Sequence, residues 1–155
     1  MPWTETVEVV RNTFRSILDL MREYQDSKFT MSSARTYEWM QEKYPDLFSE
    51  IEQRVKEGRW EIIGGMWVEP DLNMPDGESL VRQILVGERS LQKNFGGDVK
   101  IGWNPDSFGY NWQLPQIYSK SGMGYFVTQK LLGRTNSQPF PTSSSGGRHQ
   151  TAADC

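Results

Sequence analysis

Three carboxylates in this chain stand where chemistry could use them: Glu69 and Asp71 in "GGMWVEPDLN", and Asp106 in "IGWNPDSFGY". Each follows a short apolar run broken by Pro, Asn or Gly, so each acid emerges where a strand should end. Asp106 also stands between two aromatics, Trp103 and Phe108. Two carboxylates can divide the cleavage of a glycosidic bond, one as acid and one as nucleophile. An acid so placed can equally ligate a metal ion. Glu69 and Asp71 have a plainer use, because acids in Pro/Asn/Gly loops bond to backbone N–H groups nearby. The one histidine, His149, lies in a Ser- and Gly-rich tail and reads as a solvated residue rather than a ligand.

The elements that must position these acids follow from apolar spacing. From Thr4 to Tyr24, Val7, Val10, Phe14, Ile17, Leu18 and Met21 recur at three and four, which predicts a helix with Thr4 as its N-cap. Lys28–Ser32 reads as a strand, and Ser32 or Ser33 as the cap of a helix with Ala34, Tyr37 and Met40 inward and Trp39 off that face. Pro45 opens another helix with Leu47, Phe48, Ile51 and Val55 on one side, and Gly58 stops it. Trp60–Gly65 is the next strand. Gly77–Phe95 reads as a long helix, with Leu80, Val81, Ile84, Leu85 and Leu91 inward and Gly96–Gly97 as its stop. Val99–Trp103, Gln113–Gly122 and Gly124–Gln129 complete the series as strand, helix and strand. Alternation of this kind predicts an α/β fold with a parallel sheet covered by helices. In such sheets ligands bind beyond the carboxyl ends of the strands, where both acid-bearing loops fall.

Composition narrows the function. The 155 residues suffice for one modest domain, and 17 Lys+Arg against 20 Asp+Glu leave a net charge of -3. No basic face forms, which argues against nucleic acid as a partner. No apolar run is long enough for a transmembrane helix, and charges recur through "TETVEVVRNTFRS", so no signal-peptide core is expected there. The single cysteine, Cys155, excludes an internal disulfide and suits a reducing compartment; the expectation is a cytoplasmic protein. Six Trp, six Tyr and seven Phe serve either a core or a site where flat rings cover a sugar.

At the acid-bearing loops the sequence resembles glycoside hydrolase family 38, the retaining α-mannosidases, and looks most like the bacterial branch. The matching pieces are "TMSSARTYEWMQEKYPDLF", "VKEGRWEIIGGMWVEPDLNMPDGESLVRQ", "GWNPDSFGYNWQLPQI" and "GYFVTQK", collinear from Pro2 to Lys130. The resemblance implies part of an α/β barrel, a fragment of the family's N-terminal catalytic domain, over residues 1–131. It implies an α-mannoside or oligosaccharide substrate, and a zinc cofactor. Asp106 matches the family's nucleophile and metal ligand, Phe108 an aromatic near the bound sugar, and Asp71 and Tyr110 supporting positions against the substrate. Asn104, Pro105 and Gly109 would shape the turn that aims the carboxylate. The family's His-x-Asp metal motif precedes the segment matching Pro2–Trp3. Its acid/base aspartate and a further metal-binding histidine lie beyond the matched pieces. One metal ligand is therefore expected in this chain, which should be inactive alone and open to self-association as an incomplete barrel.

Residues 132–155 diverge. "TNSQPFP" keeps the family's character, and "TSSSGGRHQTAADC" reads as a disordered tail. One deleted base near Pro141 would also explain it, because with suitable codons Thr142–Cys155 rereads one base over into sequence of the family's kind.

Overall fold

The computed structural model describes residues 3–129, so the expectations for the tail, including His149 and the frameshift, lie outside the described residues. The elements run α1 (Trp3–Glu23), β1 (Phe29–Met31), α2 (Ala34–Lys43), α3 (Pro45–Lys56), β2 (Trp60–Ile62), α4 (Gly77–Phe95), β3 (Ile101–Trp103), α5 (Leu114–Lys120) and β4 (Tyr125–Val127). This is the order that the apolar spacing predicts, with strands shorter than expected.

Each helix has a local cause. Val7, Phe14, Leu18 and Met21 form the buried face of α1. The carbonyls at its C-terminal end lack helical partners. Arg59 supplies them: its Nη2 donates to the Met21 carbonyl at 2.7 Å and the Tyr24 carbonyl at 2.8 Å. Pro45 holds the first turn of α3, and Gly58, at φ 68°, follows its C-cap Glu57 in the left-handed conformation that glycine adopts freely. At the start of α4 the Asp76 carboxylate accepts from the Ser79 N–H at 2.7 Å, and Gly96 closes the helix in the left-handed region. Thr4 falls inside α1 rather than capping it. Ser33 takes the cap position of α2 but makes no side-chain cap bond.

β1 pairs with β2 in parallel, Phe29 opposite Trp60, and β3 with β4, Ile101 opposite Tyr125. A backbone hydrogen bond of 2.8 Å from the Gly64 N–H to the Ile101 carbonyl links the two pairs. The described residues thus form an α/β fold of two small parallel sheets, with no closed barrel among them.

The core lies between the strands and the helices. The Trp60 ring meets Phe14 edge-on at 5.1 Å and Phe29 at 4.7 Å, and its indole N–H donates to the Tyr37 hydroxyl at 2.9 Å. Under β3 and β4, Gly102 leaves room for the Tyr118 ring, which packs on Phe126 at 5.4 Å. Side chains alternate along a strand. Ile101, Trp103, Tyr125 and Val127 therefore share the opposite face; Tyr125 is 57 % exposed and the other three are half-buried.

Two expectations about faces are corrected. Val81 and Leu85 are exposed rather than inward, because α4 turns Leu80, Ile84, Gly87 and Leu91 to the core. Trp39 is buried, because the α2 face is wide enough to take in its ring beside Met40.

Candidate active site

The loop after β2 is fixed by neighbours on both sides. A Cβ on Gly64 would lie 2.8 Å from the Ser32 Cβ, and φ there is 83°, so only glycine lets the chain cross the end of β1. The next carbonyls, of Met66 and Trp67, accept from the Ala34 and Arg35 N–H groups at 3.0 and 2.9 Å. These N–H groups belong to the first turn of α2, so the carbonyls of the loop stand in for the side-chain cap that the helix lacks. Arg35 also lays its guanidinium over the Trp67 ring at 5.5 Å and the Trp39 ring at 5.6 Å. From the other side, Gln83 on α4 accepts from the Trp67 N–H through its carbonyl and from the Val68 N–H through its side chain. Gly87 makes this approach possible, since a Cβ on it would stand 2.3 Å from the Gly65 carbonyl oxygen.

Asp71 then caps its own turn. Its Oδ1 accepts from the Asn73 N–H at 2.7 Å and the Met74 N–H at 3.0 Å, with Met74 and Asn73 holding the carboxyl below its ordinary range. The plainer use of this acid is realised.

Asp106 is exposed on the loop after β3, and the residues around it are tied down. Asn104, buried, donates its N–H to the Val127 carbonyl at 3.0 Å, and its side-chain oxygen accepts from the Tyr118 hydroxyl. Tyr110 donates its hydroxyl to the Asn104 carbonyl at 2.8 Å and accepts from Thr128 at 2.6 Å. Burial pushes the Tyr118 phenol well above its ordinary range, with Glu69 and Tyr110 acting in the same direction, so it stays a neutral donor to Asn104. The loop is pinned to its neighbour as well: the Ser107 hydroxyl donates to the Pro70 carbonyl at 3.3 Å, and Gly109, at φ 83°, leaves a Cβ no space beside Asn73.

The expected residues thus lie on two touching loops beyond β2 and β3. Asp71 and Tyr110 act on the loops themselves, while Asp106 and Phe108 are presented to solvent, Phe108 at 76 % exposure. Tyr118, Thr128 and Ser107 were not foreseen as parts of this support. Tyr118 and Thr128 reach the loop only through the fold, and a serine between an acid and a phenylalanine gives no local signal.

The described residues do not make a set for zinc. Such a site needs three or four protein ligands. Asp71 already accepts two backbone N–H groups, and among the described residues no three His, Cys, Asp or Glu side chains come together.

An α/β protein with its acids on loops beyond parallel strands holds them where folds of this class bind ligands. The model of the glycosyl hydrolases family 38 N-terminal domain matches residues 1–144, and this chain belongs to that family. The family is one of glycosidases. "Alpha-mannosidase G" of Dictyostelium discoideum is 41 % identical over 140 residues, covering 90 % of this chain and 13 % of that protein. "Alpha-mannosidase 2C1" of Homo sapiens is 40 % identical over 142 residues, covering 91 % of the chain and 14 % of its own length. The chain therefore spans about one seventh of the length of these relatives. The crystal structure of an alpha-mannosidase from Enterococcus faecalis V583 shares the fold, with a TM-score of 0.72 and 23 % identity over 83 % of this chain and 14 % of that one.

Proposed function

We propose that this chain is a fragment of a retaining α-mannosidase, built to present Asp106 to the anomeric carbon of a terminal α-mannoside. The observation that carries the reading is the family match together with an exposed Asp106 on a loop braced by Asn104, Tyr110 and Ser107. In the intact architecture an Asp106 oxygen attacks the anomeric carbon as the bond to the leaving oxygen breaks. That oxygen takes a proton from an acid which the resemblance places beyond the matched pieces. Water then attacks the same carbon, passes a proton to the conjugate base of that acid, and frees mannose and the carboxylate. Phe108 packs beside the sugar, and Asp71 and Tyr110 hold the loops. The open sheet face fits part of a barrel, because parallel sheets are covered on both faces and further strands would close over Ile101 and Trp103. A cytoplasmic location belongs to the same proposal, supported by the single cysteine, which suits a reducing compartment.

The chain alone lacks a zinc-holding set among its described residues, and that favours a second reading, a sugar-binding remnant without turnover. Hydrolysis of an aryl α-mannoside separates the two. The purified chain should show only background turnover, with zinc or with chelator. A chimera carrying residues 3–129 in place of the matching segment of an intact relative should turn over, and Asp106→Asn in it should lower kcat by about a thousandfold or more. An unchanged rate in that variant would remove Asp106 from the chemistry. Metal-dependent turnover by the chain alone would overturn its inactivity.

A further inference from the structure

Three consecutive residues at the end of β4 hold the loop that carries Asp106 at the rim of the strands, each by a different group. The Phe126 ring meets the Tyr110 ring edge-on, with centroids 6.3 Å apart. The Val127 carbonyl accepts from the Asn104 N–H at 3.0 Å. The Thr128 hydroxyl reaches the Tyr110 hydroxyl at 2.6 Å. Val127 is also the strand partner of Trp103, the residue before Asn104. β4 therefore fixes one end of the loop, at Asn104, through its backbone, and the other end, at Tyr110, through its side chains.

The direction of the bonds follows from the donors. A phenol has one hydrogen. The Asn104 carbonyl can only accept, so the Tyr110 hydrogen goes there, at 2.8 Å. Thr128 is then the donor of the second bond. A hydroxyl that accepts one hydrogen bond donates a stronger one. Loss of the Thr128 hydroxyl thus weakens the bond that closes residues 104–110 into a ring around Asp106, and it leaves the backbone pairing of β3 with β4 in place.

We propose that Thr128 is a positioning residue for the attack by Asp106, acting through Tyr110 and Asn104 rather than on the sugar itself. This rests on the α-mannosidase reading above. A misplacement of about 1 Å at a reacting centre costs on the order of a hundredfold in rate. Slack in this ring is therefore felt first in kcat, where the geometry of the transition state is read.

Two measurements test this. In the full chain, 15N relaxation gives backbone order parameters for Ser107, Phe108 and Gly109. Thr128→Val keeps the shape and loses the donor; it should lower them from about 0.85 to about 0.6. Thr128→Ser keeps the hydroxyl and should hold the loop rigid. In the chimera with an intact relative, Thr128→Val should lower kcat about tenfold and move KM by less than about threefold, and Thr128→Ser should recover most of the loss. Thr128→Val should add nothing once Tyr110→Phe has broken the same chain of bonds. Order parameters that ignore Thr128→Val overturn the proposal, even where the melting temperature falls, because Thr128 is then a plain structural contact. A slack loop with kcat unchanged overturns it as well, and so does an undiminished effect in the Tyr110→Phe background. Failure of Asp106→Asn to slow the chimera overturns the α-mannosidase reading instead, and the two failures are told apart because the order parameters are measured without turnover.

Discussion

Glu88 on α4 shows what packing does to a carboxyl that the loops do not use. Its Oε1 is buried without a hydrogen-bond partner, and its Cγ lies 3.6 Å from where a Cβ on Gly65 would stand. Burial raises its pKa above the ordinary 4.5, and Asp98 adds to the rise against the opposing charge of Lys100. The folded chain then holds this proton more tightly than the unfolded one. Between 4.5 and the raised value, stability falls as pH rises, and above that window the full penalty persists. Glu88→Gln should raise Tm by a few degrees at pH 7 and leave it unchanged well below pH 4.5; an equal rise at both pH values would refute the assignment. Asp71 and Asp106 differ in another way. Both stood out in the sequence by loop composition, which already gave Asp71 the plainer use and set Asp106 apart by its flanking aromatics. The two backbone N–H groups on Asp71 realise that plainer use, through a turn conformation that composition leaves open.

Among the elements, α4 connects most of the site, since its Gln83 and Gly87 hold the loop after β2. Its first turn depends on Asp76, whose carboxylate Ser79 holds below the ordinary range. Asp76→Ala should cost about 1 kcal/mol, read as a lower urea midpoint at unchanged slope. No change in midpoint would mean that tertiary contacts alone hold this end. The order of the elements was legible because α1, α3 and α4 show clear three-and-four spacing, and α3 and α4 end at glycines. Which face each helix buries was less so. Spacing marks Val81 and Leu85 as candidates for the inner face of α4, but Gly87 draws that helix onto the Gly65–Trp67 backbone and turns them outward. A glycine inside a helical pattern was the available signal for that approach.

At the scale of the whole molecule, helices cover one face of the strands, while the other shows Ile101, Trp103, Tyr125 and Val127. Exposed apolar surface and unpaired strand edges favour association. Sedimentation velocity should show species larger than the monomer that grow with concentration, and Tyr125→Lys should shift them toward monomer. A single monomer at all concentrations would mean that this face is tolerated by water. The link from Gly64 to Ile101 bears on how such a molecule comes apart. It bridges a half built from β1 and β2 with their helices to a half built from β3 and β4 with α5. Stretches that share few backbone bonds tend to exchange their amides as separate cooperative units. Here the boundary between two such units would run through the strand ends that present the acids, so that breathing of one half against the other opens the rim before either half unfolds.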